Sequence, residues 1–330
     1  MTYSTKRTLA CLVGLQCAAA MGLAFSVSAQ SMGHATQLYD GGKVIEAKKE
    51  FLALQKADDR SAAVAYYLGR IATSESNFDE AIRHFERALD LEDGNALYHF
   101  SLGSALQQVT PRASMIKMPF LARRMRKEWE RAVELDPNQV DARIGLVQFY
   151  AMAPGVLGGN MDKAHQQAEE ISKRNAMRGA IARATIEGQQ KNAVAEQASY
   201  LQAIAAEPDS SAGYFALSNM YTRDGKAAAA FATLDQYSQR HPDNHWTMYY
   251  VGRVAGATGQ DIDQGESALK QFLATPPSDA YAPTIAGAHY WLGQIAEKRG
   301  VKDAAREHYR TALKIDPKSQ LSKKALEAQK

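Results

Sequence analysis

The stretch YYLGR, Tyr66 to Arg70, decides the fold, because it returns as YYVGR from Tyr249 to Arg253 and as YWLGQ from Tyr290 to Gln294. Two aromatics, an aliphatic, a glycine and a long polar side chain recur in one order at distant places, so one packing unit is being reused. The surroundings recur as well. Leu68 and Gly69 are followed by Phe78, Ala81, Phe85, Ala88 and an acidic turn near Asp93. Leu292 and Gly293 are followed by Gly300, Ala305, Tyr309, Ala312, Leu313 and Pro317.

Each residue type has a packing reason. Gly69 and Gly293 are expected where two antiparallel helices approach, since a missing side chain lets the backbones come close. Ala81 and Ala305 do the same on the second helix, while Phe85 and Tyr309 fill the space beyond. Pro317 closes the last unit, because proline disfavours helix in the residue before it.

Counting outward predicts eight helix-turn-helix units. The first keeps only Gly42, Ala47, Phe51 and Leu54, and the second starts near Ala62. The third carries Leu102 and Gly103, then Trp129, Ala132 and Pro137 arrive late. The fourth has Leu146, Tyr150, Ala164 and Ile171, with its turn widened by APGVLGG, Ala153 to Gly159. The fifth, with Tyr200, Ala203 and Pro208, is polar in its first helix, and Met177 to Gln190 is the expected place for any hinge. The sixth has Leu217, Tyr221, Gly225, Ala230 and Pro242, and the seventh has Val251, Gly252, Gly259, Gly265, Leu269 and Pro276. One such unit cannot bury enough apolar surface to offset its own ordering entropy, so stacking must supply the rest.

This residue order resembles the tetratricopeptide repeat family, a helix-turn-helix pattern of about 34 residues. The likeness runs over nearly all of the chain after residue 29. It implies an all-α, right-handed α-solenoid over 30–317, with 318–330 as a charged capping helix or tail.

Residues 1–29 read as a secretory signal. Lys6 and Arg7 precede an apolar run from Leu9 to Phe25, and Val27, Ser28 and Ala29 form a small-residue exit. Export, most simply to a bacterial-type periplasm, is the expectation, and an uncleaved membrane anchor is its rival. Both cysteines, Cys11 and Cys17, lie in this leader, so disulfides and thiolate chemistry are excluded from the rest. The net charge of +3 includes two leader charges, which leaves the remainder near neutrality and argues against nucleic acid as a partner.

In the family, the first helices line a concave groove that holds a peptide or another protein, chiefly through the fifth, sixth and ninth positions of each unit. The resemblance therefore implies a partner-binding strip. It comprises Tyr66, Tyr67 and Arg70 in the second unit, Phe100 in the third, and Phe215 with Asn219 in the sixth. The seventh adds Tyr249, Tyr250 and Arg253, and the eighth adds Tyr290, Trp291 and Gln294. An aromatic and a residue three or four later share one helix face, so each ring can sit beside the Arg or Gln that follows it. The rival reading makes Tyr66, Tyr249 and Tyr290 core residues. It fits the arginines less well, because a buried guanidinium needs a paired acceptor. The lysines and asparagines with which chaperone-binding members grip a terminal carboxylate are missing, apart from Asn219.

The late arrival in the third unit is a basic insertion, Thr110 to Ala132, whose Lys117, Arg123, Arg124, Arg126 and Lys127 alternate with Met115, Ile116, Met118, Phe120, Leu121 and Met125. Two readings fit. It docks on an anionic membrane or an acidic partner, as an envelope or cell-wall assembly factor would. Alternatively it is an elongated second helix packed by Phe120, Leu121 and Trp129 with a solvated charged face. The APGVLGG turn lacks the Gly-Lys-Ser/Thr ending of a phosphate loop, so a widened turn capped by Asn160 is expected. His241 and His245 are four apart, but Pro242 and Asp243 separate them, so no metal site is expected. Nucleophile, HExxH and Walker motifs are missing, and no enzyme activity or cofactor is implied.

Overall fold

A computed structural model describes residues 31–275 and 285–329 of the chain. The expected leader, residues 1–29, and Pro276 lie outside the described residues. Among them there are seventeen α-helices and no strand. They follow in pairs: α1 (residues 31–40) and α2 (Val44–Ala57), α3 (Ala62–Ser74) and α4 (Phe78–Leu91), α5 (Ala96–Val109) and α6 (Met118–Leu135), α7 (Val140–Met152) and α8 (Met161–Arg174). The series continues with α9 (Ala176–Gln189) and α10 (Ala193–Ala206), α11 (Ser211–Arg223) and α12 (Ala227–Arg240), α13 (His245–Thr258) and α14 (Ile262–Ala274), α15 (Ile285–Lys298) and α16 (Lys302–Ile315), and ends on α17 (Gln320–Glu327). The eight pairs are the eight expected units, so the fold is an α-solenoid of helix-turn-helix units.

Two local devices set the alternation. First helices start on a polar cap: the side chains of Ser61, Asn95, Asn175, Ser210 and Asn244 each accept a hydrogen bond from a backbone N–H of the helix that follows. Such a cap satisfies a donor that the helix itself leaves orphaned. Six second helices, α2, α4, α10, α12, α14 and α16, start after a turn that contains a left-handed residue, Gly42, Ser76, Lys191, Gly225, Gly259 or Gly300, with φ between 56° and 77°. Reversing the chain in so few residues requires that conformation, which glycine adopts freely and Ser76 and Lys191 only under strain.

The sequence expectation for the glycines needs one correction. A methyl group at Gly69 would lie 2.5 Å from the Phe85 ring, and one at Gly293 would lie 2.4 Å from the Tyr309 ring. What the missing side chain admits is an aromatic face from the second helix, not the partner backbone. Trp129 extends the device to two repeats. Its ring packs on Gly103 of α5 and Gly145 of α7, and it is fully buried.

The chain divides into two compact units at Gln167 and Ala168, within α8 and ahead of the stretch Met177 to Gln190 where a hinge was expected. That stretch is almost entirely the continuous helix α9. In the first unit Ala47, Phe51, Val64, Leu68 and Ile71 form one core. In the second unit Tyr214, Leu234, Leu269, Phe272, Leu292 and Ile295 form another. The end of α17 covers the last repeat, with Ala325 and Leu326 packed against Ala305 and Tyr309.

Candidate partner-binding site

In the first unit, the guanidinium of Arg70 stands among three tyrosines. Its carbon lies 4.6 Å from the centre of the Tyr39 ring, 5.5 Å from Tyr67 and 5.7 Å from Tyr66. The rings brace one another: Tyr67 stacks on Phe51 at 4.9 Å, meets Tyr39 edge to face at 5.6 Å, and meets Tyr66 the same way at 5.5 Å. Negative ring faces attract the cation, which explains how a half-buried arginine persists with no carboxylate paired to it among the described residues. Burial raises the Tyr66 hydroxyl above its usual range, opposed by the Arg70 charge. Sequence reasoning missed Tyr39, which lies on the first repeat and off the positions counted as groove. Phe100 does not join the box. The α5 ring that packs on Tyr66 is Tyr98, at 4.9 Å, whose hydroxyl burial and the nearby Glu92 charge push up to about 12.

In the second unit, Arg253 lies 5.7 Å from the Trp291 ring, and Trp291 Nε1 donates to the Tyr249 hydroxyl at 3.2 Å. Tyr249 and Tyr250 meet edge to face at 5.7 Å, and burial raises both hydroxyls. Three sequence assignments change here. Phe215 is 5% exposed and stacks on Tyr250 at 4.1 Å, so it backs the site from the core and does not face solvent. Gln294 is occupied within its own repeat, donating to the Tyr309 hydroxyl at 2.6 Å and to Glu297 at 2.9 Å. Tyr290 belongs to the core cluster around Tyr309, 5.9 Å away. Asn219 remains half-exposed on α11. The structure thus brings Tyr249, Tyr250, Arg253 and Trp291 together, on Phe215. Among the described residues no carboxylate pairs with Arg253.

Residues 32–96 and 286–319 match family models described as tetratricopeptide repeat. Those two stretches are similar to tetratricopeptide repeats. Solved structures repeat the fold at low sequence identity. A tetratricopeptide repeat protein from Parabacteroides merdae superposes with a TM-score of 0.56 at 14% identity, over 92% of this chain and 98% of that one. The human IFIT1 dimer with PPP-AAAA gives 0.55 at 15% identity, over 90% and 71%. Yeast Tom70 gives 0.51 at 10% identity, over 92% and 88%. No curated protein matches the chain in sequence.

The third repeat departs from the pattern through its insertion. A 3-10 turn at Thr110–Arg112 and a short loop lead into α6, which is 18 residues long. Ala122, Met125, Trp129 and Ala132 face the core. Phe120, which the elongated-helix reading packs, is 68% exposed. Arg124 pairs with Glu86 at 2.6 Å and Arg126 with Glu130 at 2.8 Å, whereas Lys117, Arg123 and Lys127 are exposed. Asn160 caps α8 by accepting from the Lys163 N–H at 2.9 Å. Among the described residues no group of three or more metal-ligating side chains occurs, and no helix is long and apolar enough to cross a membrane. His241 ends α12 and His245 opens α13, so that pair does not share a helix.

Proposed function

We propose that the chain is a non-catalytic scaffold that holds an extended segment of a protein partner, with its binding centre at Arg253. Proteins built of this repeat act in general as interaction scaffolds, which supports the class. The observation that carries the reading is a half-buried guanidinium flanked by Trp291 and the two tyrosines, with no carboxylate paired to it among the described residues. A desolvated cation of that kind gains most from an external carboxylate or carbonyl, for which its planar donors are preorganised. The aromatic walls supply apolar area and, on the tyrosines, a hydroxyl for the partner backbone. The leader supports an exported, periplasmic setting, which N-terminal sequencing of the protein recovered from cell fractions would check.

Photo-crosslinking from position 250 in whole cells tests the reading. A partner should be captured, and Arg253→Glu should abolish the adduct. Crosslinks that survive Arg253→Glu unchanged would exclude the site.

A further inference from the structure

We propose that the third-repeat insertion and the widened fourth-repeat turn together form a docking face for an anionic lipid surface, separate from the aromatic site. The two departures from the repeat pattern meet in space. Arg123 Nη2 donates to the carbonyl of Val156 at 3.3 Å, and Gly158 rests against the Arg126 guanidinium. Their junction exposes large apolar side chains: Met115 by 88%, Val156 by 82%, Ile116 by 79% and Phe120 by 68%. Burial of side chains like these would be favourable, so exposing four of them on two joined segments leaves a face short of a partner.

The charges within the insertion up to Lys127 have one sign. Residues 110–127 hold six basic side chains and no carboxylate. The acids that follow on α6 are engaged within the chain: Glu128 on His99 at 2.7 Å, Glu130 on Arg126 and the Tyr150 hydroxyl, and Glu134 on Arg131 at 3.2 Å. Arg112, Lys117, Arg123 and Lys127 pair with no carboxylate among the described residues. On α6, Phe120, Arg123 and Lys127 fall on one face by helical spacing, opposite Ala122, Met125 and Trp129. Apolar tips rimmed by cations match the boundary of a bilayer, where acyl chains take the tips and lipid phosphates take the charges. Lipid fits better than a folded acidic protein. The tips stand out from a turn and a helix start, each exposed over most of its surface. Fluid hydrocarbon can surround every one, whereas a rigid partner would need a pocket for each.

Sedimentation of the full chain with vesicles tests this, using phosphatidylcholine alone or mixed with phosphatidylglycerol. The leader is common to all variants, so differences report the face. Anionic vesicles should capture about tenfold more protein than neutral ones, and added salt should weaken the capture. The triple change Met115→Ser, Ile116→Ser, Phe120→Ser and, separately, Lys117→Glu with Lys127→Glu should each lower it about tenfold at unchanged helical circular dichroism. Arg253→Glu should leave it intact. Equal capture by neutral vesicles, wild-type capture by both folded variants, or a need for this face only in binding an acidic protein would overturn the proposal.

Discussion

Arg70 and Arg253 occupy the same place in the same five-residue motif, yet their surroundings differ. Arg70 is covered by Tyr39 from the preceding repeat and by its own Tyr66 and Tyr67, three rings in all. Arg253 has a ring from the following repeat, Trp291. The difference can be traced to single residues. Thr222 stands as far ahead of Arg253 as Tyr39 does ahead of Arg70, and its hydroxyl is turned back onto the Ser218 carbonyl. A repeated motif therefore does not carry a repeated environment: neighbours on adjacent repeats decide which rings surround a guanidinium.

The largest contrast concerns how the two units are held. In the first unit Trp129 keys two repeats at once through Gly103 and Gly145. Trp129→Ala should lower the unfolding free energy by about 3–5 kcal/mol, measured by urea titration. Tyr39→Thr, which makes the Arg70 box resemble the Arg253 site, should cost about 1–2 kcal/mol through the lost cation–ring and ring–ring contacts. The reverse exchange, Thr222→Tyr, should weaken partner capture at Arg253. If Tyr39→Thr costs nothing, the box is not a structural clasp and the contrast fails.

Titration separates the units further. His289 and His308 face each other at 3.2 Å in the last repeat, and both are lowered from the ordinary 6.5, His289 by burial and then by its neighbour, His308 chiefly by burial. A depressed base stabilises fully above about 6.5, and its contribution is lost as pH falls through the folded value. His99 in the first unit behaves oppositely. Burial pulls it down, but its hydrogen bonds to Glu128 and the Asp93 carbonyl outweigh that and leave it raised, so its contribution is present below 6.5 and lost as pH rises. Thermal melts from pH 5 to 8 should show His308→Gln removing a loss on the acid side and His99→Gln removing a loss on the neutral side. Matching slopes in the two variants would contradict the assignment. The smallest effect concerns turns: Lys191→Gly, in the left-handed region, should gain about 1 kcal/mol, while Gly225→Ala should lose about as much.

The repeat count was legible because glycine, alanine and aromatic positions obey one spacing, and those are the positions where the packing tolerates least change. The cap at Asn160 and the stop before Pro317 are local chemistry, readable from the residue types themselves. The candidate site was legible only in part. Arg253, Tyr249 and Tyr250 stand in the motif itself, and Trp291 in its last copy. Whether Phe215 backs them or faces water depends on a stacking partner one repeat away. Tyr39 was hidden because its role arises between repeats, and a pattern that counts within one repeat carries no signal for it. The contact between Arg123 and Val156 joins two irregular segments, where no period exists to follow.

The central proposal is that a partner segment binds at Arg253 and not at Arg70. Once crosslinking has supplied a partner segment, its affinity should be measured by calorimetry for the wild type, Arg253→Glu and Arg70→Glu. The expected result is a loss of about tenfold or more for Arg253→Glu, equivalent to about 1.4 kcal/mol, with little change for Arg70→Glu. Equal losses, or a loss confined to Arg70→Glu, would contradict it.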